Sequence, residues 1–323
     1  MTRIAVIDDW QKIARRSADW SALTARADVR FFETPFADEN DATRQLADFD
    51  IVLAIRERTP FPESLVARLP KLKMFGQTGA RAALIDTAAM IARGITVCYT
   101  GGGPSGTSTA ELALGLMLAA ARRIPAGDAG VRDGRFQAGT EAGRILDGKT
   151  VGLIGLGRIG SRMAVYCRAL GMNVLAWSQN LNAETAAAAG AVRVGKEDLL
   201  SGADVVSLHL QLSDRTRGIL GAADLARMRP GAILVNTARA QLIDESALIA
   251  AVESGRLTAA LDVFYREPVP AGHPLARATN VVLTPHLGYS VVEVYREYYQ
   301  HAVENAMAFL DGAPIRVLQA AGR

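Results

Sequence analysis

The run Val151-Gly152-Leu153-Ile154-Gly155-Leu156-Gly157-Arg158-Ile159-Gly160 constrains the fold of this chain more than any other. An apolar, strand-like stretch enters three glycines spaced G-x-G-x-x-G, and a helical pattern then continues to Leu170. Strand, glycine turn and helix in that order are what binding a dinucleotide pyrophosphate requires. Gly155 permits the tight turn, Gly157 lets backbone N–H groups approach phosphate oxygens, and Gly160 lets the helix pack close to its strand. The helix N-terminus adds unpaired N–H groups and the positive end of a dipole.

A bare G-x-G-x-x-G is weak evidence, and this chain contains a second one. Gly101-Gly102-Gly103-Pro104-Ser105-Gly106 also lies between a strand-like segment and a helix. A dinucleotide loop needs a further strand about 20 residues on, whose end reaches the adenosine ribose. After Gly106 the pattern stays helical to Arg123 and breaks at Pro125, whereas after Gly160 residues 172–177 form a short apolar run ending at Ser178. Residues 155–160 are therefore read as the cradle, and residues 101–106 as a flexible crossing between domains.

At 323 residues the chain exceeds one ordinary core, so two domains are expected. The longest uncharged apolar run, residues 112–121, is far too short for a membrane span, and charges throughout the first 20 residues argue against a signal peptide. Cys98 and Cys167 have no metal-type spacing and read as buried thiols in a reducing cytoplasm, with no metal site expected. The net charge is only +3, with basic residues scattered among 33 acids, which gives a nucleic-acid surface little support.

Short β-rich runs alternate with helical patterns throughout, the signature of mainly parallel sheets covered on both faces. Five strands are predicted at 3–7, 29–32, 51–54, 72–75 and 95–99. Six more are predicted at 151–154, 173–177, 204–208, 232–236, 259–263 and 281–284. The reading is α/β with two doubly wound parallel-sheet domains, a Rossmann domain over 104–288 inserted into a flavodoxin-like substrate domain formed by 1–103 and 289–323. The 107–123 helix is apolar on nearly every face and is expected to be buried at the domain junction. A long last helix, about 291–310, is expected to close back onto the first domain. A cleft between two such units is the default place for a pocket.

Hydride transfer at an alcohol carbon needs a proton carrier and an anchor for the substrate. Only four histidines exist. His301 reads as a surface position in the last helix, and His273 as a turn residue. His209 ends a strand on its carboxyl side, where it either borders the cofactor or serves structure. His286 ends the last strand between Pro285 and Gly288, and imidazole both gives and takes a proton near neutrality. Asp262 and Glu267 at the end of the preceding strand are carboxylate candidates; alone, each would read as a strand cap or a surface acid. Arg239 closes the strand before that, and its planar fork matches a carboxylate. Three strand ends thus deliver Arg, Asp with Glu, and His to the carboxyl rim, where such sheets bind ligands.

Over residues 72–310 the chain resembles the D-isomer-specific 2-hydroxyacid dehydrogenases, the phosphoglycerate dehydrogenase-like group. The matching stretches are Thr109-Ala110-Glu111-Leu112, the glycine run 152–160, Asn236-Thr237-Ala238-Arg239, Ala260-Leu261-Asp262-Val263-Phe264 with Glu267-Pro268, and Thr284-Pro285-His286-Leu287-Gly288. The resemblance implies that Arg239 binds the substrate carboxylate, that His286 is the acid/base, and that Glu267 pairs with His286 and favours its protonated form. It implies cofactor contacts at Thr109, Gly155, Leu156, Gly157, Arg158, Ile159, Gly160, Ser178, His209, Thr216, Thr237, Ala238, Asp262 and Gly288. Asp262 would hold the nicotinamide carboxamide, and Thr78, Gly79, Ala80 and Arg81 would join Arg239 and His286 around the substrate. Formate dehydrogenases of similar type place Gln where Glu267 stands, which argues against formate.

Three positions depart from the family pattern. The second nucleotide-domain strand commonly ends in Asp, which repels the 2′-phosphate of NADP; here Ser178-Gln179-Asn180 supplies neither that acid nor an arginine. The cofactor is NAD or NADP, with a lean to NAD because positive charge is missing at 178–180. The substrate loop carries Arg81 where glycine is usual, either to meet a second acidic group or to face solvent. Ala240 replaces the glycine that usually follows Arg239. The expected function is hydride transfer between nicotinamide and C2 of a small D-2-hydroxy acid or 2-keto acid. The alternative is a dinucleotide-sensing binding protein of the same fold without turnover. A homodimer is implied, and neither nucleic acid nor membrane is an expected partner.

Overall fold

In a computed structural model, which describes residues 1–80 and 82–319, the chain divides into two compact units. One comprises Met1–Pro104 with the chain from Val291 onward, and the other Ser105–Ser290.

The first unit holds strands β1 (Thr2–Val6), β2 (Ala27–Phe31), β3 (Ile51–Ala54), β4 (Met74–Gln77) and β5 (Thr96–Tyr99). They form a parallel sheet in the order β2-β1-β3-β4-β5, a flavodoxin-like winding. β3 and β4 are buried along their whole length; β3 accordingly runs apolar without alternation, while β4 ends in the buried polar Gln77. One face packs Ala5, Ile7, Val52, Phe75 and Val97 against Leu46, Phe49, Leu65 and Met90. The helix Val292–Leu310 lies against β4 and β5 and buries Val294, Tyr295, Tyr298, Tyr299 and Ala306, so the last helix does return to this unit. β4 reaches Gln77, two residues beyond its predicted end. Gly76 is a poor strand former, yet Leu53 occupies the space a side chain would need there, and the ladder continues through it.

The second unit holds β6 (Thr150–Ile154), β7 (Asn173–Trp177), β8 (Val192–Arg193), β9 (Val205–Leu208), β10 (Ile233–Asn236), β11 (Thr258–Leu261) and β12 (Val281–Leu283). They form a parallel sheet in the order β12-β11-β10-β9-β6-β7-β8, a Rossmann winding whose strand order reverses between β6 and β9. Side chains alternate across it. Val151 and Leu153 face the helices Ser105–Ala121 and Arg158–Ala169, while Ile154, Val206 and Leu208 face a second core with Leu199, Leu225 and Leu248. Seven strands stand where six were predicted. β8 is a two-residue edge strand with both residues exposed, so it leaves no apolar run to read.

The Ser105–Ala121 helix is not buried all round. Ala110, Ala113, Met117 and Ala120 pack into the second unit's core, whereas Leu112, Leu114 and Leu118 are half-buried and Glu111 and Gly115 exposed. The 101–106 loop is fastened rather than loose. The N–H groups of Gly101 and Gly103 donate to His301 Nδ1 at 3.1 Å and Glu297 Oε1 at 2.9 Å. His301 is accordingly half-buried, not a free surface residue. Among the described residues, no helix is long and apolar enough to cross a membrane.

Candidate active site

The glycine loop lies where β6 hands over to the Arg158–Ala169 helix, beside β9. Gly155 has φ +98°, a conformation open mainly to glycine, and a side chain there would press on the backbone of His209 at 2.8 Å. A side chain at Gly160 would collide with the Gly155 carbonyl, so the helix can approach only because that residue has none. Gly157 differs from both, since no atom of the protein lies within 4 Å of where its side chain would start. Two glycines are dictated by the protein's own packing and the third faces open space. The helix N-terminus behind it has no side-chain cap, which suits an anion. Leu156 is buried, Arg158 exposed and Ile159 half-buried.

β7 runs beside β6 with Ile154 opposite Trp177, so half-buried Ser178 comes directly after it at that end of the sheet. On the other side of β6, His209 comes after β9 and borders Gly155. Its Nε2 lies 2.9 Å from Ser207 Oγ, and burial pushes its pKa down to about 4, leaving a neutral imidazole near pH 7. Thr216 builds the next turn, its hydroxyl donating to the Gln211 carbonyl at 2.7 Å.

β10, β11 and β12 are neighbours, so their ends stand side by side at intervals of about 5 Å. After β10, the Asn236 side chain accepts the Ala238 N–H at 3.0 Å and donates to the Arg239 carbonyl at 2.9 Å, a clamp that shapes the turn carrying half-buried Arg239. The buried hydroxyl of Thr237 has no hydrogen-bond partner among the described residues. Buried polar atoms are rarely left so, and an orphan at the strand's carboxyl end fits a polar ligand group placed there.

After β11, Asp262 is fully buried and organises the loop that leaves β12. Its Oδ1 accepts from the Thr284 hydroxyl at 2.6 Å and the Leu287 N–H at 2.7 Å, and its Oδ2 from the Gly288 N–H at 2.9 Å. Burial raises its pKa, while these three donors and His286 oppose the rise. Gly288 in turn accepts from Ser108 and Thr109 at 2.7 and 2.9 Å, which ties the loop to the Ser105–Ala121 helix.

His286 rides on that loop with φ +55°, a left-handed conformation costing a non-glycine residue about 1 kcal/mol or more. Its N–H donates to the Asp262 carbonyl at 2.9 Å, and its Nδ1 lies 2.7 Å from Glu267 Oε2. The other Glu267 oxygen accepts the Phe264 N–H at 2.9 Å. A carboxylate accepts only, so Nδ1 carries the hydrogen and Nε2 is the nitrogen left for proton transfer. Tyr289, which the sequence reading missed, sets its ring edge-on to the imidazole with centroids 5.8 Å apart. Nothing in a single sequence marks that tyrosine apart from its place three residues after His286.

His273 caps a short helix and lies 3.3 Å from Glu245, as suits a turn residue. In the first unit, Thr78, Gly79 and Ala80 come after β4, with Thr78 buried and Ala80 exposed; Arg81 lies outside the described residues. Gly79 has φ +70°, and the Arg56 guanidinium fills the space its side chain would take. Arg56 is thus a cation at this loop that sequence reading missed, because it comes from the end of β3.

Comparison with known proteins gives a consistent answer. Residues 114–288 match the family model described as D-isomer specific 2-hydroxyacid dehydrogenase, NAD binding domain. The chain is 36% identical over 274 residues to the D-3-phosphoglycerate dehydrogenase of Archaeoglobus fulgidus, covering 84% of this chain and 52% of that one. It therefore spans about half the length of such relatives. A glyoxylate reductase of Aeropyrum pernix is 39% identical over 256 residues, covering 77% of this chain and 76% of its own. The crystal structure of a phosphoglycerate oxidoreductase from Vibrio cholerae superposes with a TM-score of 0.91 at 37% identity, covering 97% of this chain and all of that one. The chain belongs to the D-isomer specific 2-hydroxyacid dehydrogenase family, and its second unit is that family's NAD-binding domain.

Proposed function

We propose that this chain interconverts a small 2-keto acid and the corresponding D-2-hydroxy acid. The observation that carries the reading is the Glu267–His286 pair, held at 2.7 Å on a strand end two places from the one that bears Arg239. A bound nicotinamide dinucleotide, NAD or NADP, supplies or accepts the hydride at substrate C2. Gly155, Leu156, Gly157, Arg158, Ile159 and Gly160 would hold its pyrophosphate and Ser178 its adenosine ribose. Thr109, His209, Thr216, Thr237, Ala238, Asp262 and Gly288 would line the path towards the nicotinamide.

In reduction, His286 gives the proton on Nε2 to the keto oxygen; in oxidation it takes the hydroxyl proton. Glu267 fixes the imidazole and stabilises the imidazolium present before reduction. Arg239 grips the substrate carboxylate with its fork and offsets negative charge developing on the oxygen. The proposal also assigns Thr78, Gly79, Ala80 and Arg81 to substrate binding.

The reading includes a homodimer. It is supported by Ile124, Val131, Phe136 and Ile145, large apolar side chains between 54% and 71% exposed within one stretch of the second unit. Both cysteines are buried free thiols, which supports residence in a reducing cytoplasm.

The test is a substrate panel of glyoxylate, hydroxypyruvate, pyruvate and bulkier 2-keto acids, run with NADH and with NADPH and followed by cofactor absorbance. Oxidation of cofactor with at least one small 2-keto acid is expected. Tight NADH binding with no turnover on any of them would contradict the proposal.

A further inference from the structure

The adenosine end of the site contains a cation that residues 178–180 do not reveal. β8 pairs with β7 so that Arg193 stands opposite Ala176, one residue before the end of that strand. Val194 N–H donates to the Ala176 carbonyl at 3.1 Å, which fixes the pairing. The Arg193 side chain then turns towards the loop after β7, its Nε donating to the Leu181 carbonyl at 2.6 Å. Arg193 is exposed, and among the described residues its guanidinium makes no other hydrogen bond and no ion pair. The acids on the flanking helices, Glu184, Glu197 and Asp198, are exposed, and among the described residues none pairs with it; Glu197 pairs instead with Arg227 at 3.1 Å.

The loop itself, Ser178-Gln179-Asn180, carries no carboxylate, and Gln179 and Asn180 are exposed amides able to donate. In a Rossmann unit this strand end meets the adenosine ribose. An acid there bonds the ribose hydroxyls, whereas an arginine nearby accommodates a 2′-phosphate. The acid is missing, and the arginine arrives from the next strand with both terminal nitrogens uncommitted.

We propose that Arg193 is the ligand of a phosphate on the 2′-oxygen of the adenosine ribose, so that this chain takes NADP as well as NAD. The proposal rests on reading residues 155–160 as a dinucleotide cradle, and it assigns a residue that neither the glycine motif nor the family's strand-end position identifies. Arg193 acts here on which cofactor binds, not on the chemistry at C2.

The experiment is direct binding, independent of turnover. NADPH and NADH are titrated by their fluorescence, and adenosine 2′,5′-bisphosphate and AMP are titrated as competitors, on the full chain and on Arg193→Ala. AMP differs from the bisphosphate only in the group at issue, and an exposed edge residue leaves little risk to folding. Arg193→Ala should weaken NADPH and the bisphosphate by about 10- to 100-fold, the worth of one charge-assisted hydrogen-bonded contact. NADH and AMP should change by less than about 3-fold, within the small effect of an exposed substitution. Arg193→Lys should restore part of the NADPH affinity, and that part should fade as salt is raised. If NADH binds normally and Arg193→Ala leaves NADPH untouched, or weakens both cofactors equally, the role of Arg193 is wrong while the cradle stands. If neither cofactor binds the unaltered chain, the cradle reading fails and this proposal fails with it.

Discussion

His286 and His209 show how one residue type takes opposite roles in one sheet. His286 is held by Glu267 in a half-exposed position, its backbone in a left-handed conformation that the Asp262 loop enforces. His209 is half-buried beside Gly155, and desolvation keeps it neutral near pH 7. A histidine with a depressed folded-state pKa adds nothing to pH dependence above about 6.5, where it is neutral folded or unfolded. Below that the unfolded chain takes up a proton that the folded one refuses until about pH 4, so stability falls as the solution is acidified. Buried Asp8, raised to about 6, works the other way: the folded state is protonated first, and stability rises as pH drops from about 6 towards 4. The two oppose, so the wild-type curve alone does not separate them. His209→Gln should remove the first contribution, shifting the stability gap between variant and wild type by about 2 kcal/mol between pH 7 and pH 5. Urea unfolding of the second unit at both pH values measures it, and an unchanged gap would show that the imidazole is solvated. Glu267 stood out only through the family resemblance, whereas Arg239 and His286 were singled out because each closely follows an apolar run. Tyr289, Arg56 and Arg193 were not, since each reaches its place through tertiary pairing.

At the scale of elements, the three glycines of the 155–160 loop separate packing from binding. Gly160→Ala forces a methyl group against the Gly155 carbonyl, and overpacking of this kind costs about 1–3 kcal/mol, so the variant should melt several degrees lower. Gly157→Ala meets no protein atom and should keep the wild-type melting temperature, yet it places a methyl group where phosphate would approach and should weaken NADH binding. Thermal denaturation beside fluorescence titration distinguishes the two, and a Gly157→Ala protein that binds NADH normally would remove the pyrophosphate from this loop. Strand ends were read well where flanking residues change character sharply, as at Asn236-Thr237 after β10. They were read short at β4, because Gly76 is held in the ladder by Leu53 rather than by its own propensity. β8 escaped notice because a pair of exposed edge residues carries no hydrophobic signal.

At the scale of the molecule, the alternation of β and α runs made two wound sheets readable, since a parallel sheet buried on both faces leaves nearly continuous apolar strands. A homodimer stands as a proposal drawn from the family resemblance. The exposed apolar side chains of residues 124–145 supply a physical test of it: Phe136→Asp with Ile145→Asp should shift the sedimentation coefficient from dimer to monomer, and no shift would place any interface elsewhere. The proposed function rests on a narrower division of labour, in which one imidazole would move the proton while other residues would hold the cofactor. His286→Ala separates the two roles when NADH affinity and turnover on the best 2-keto acid are measured on the same protein. Turnover should fall by about 10²–10⁴-fold with NADH affinity nearly unchanged. Turnover at the wild-type rate in that variant would mean that another group carries the proton.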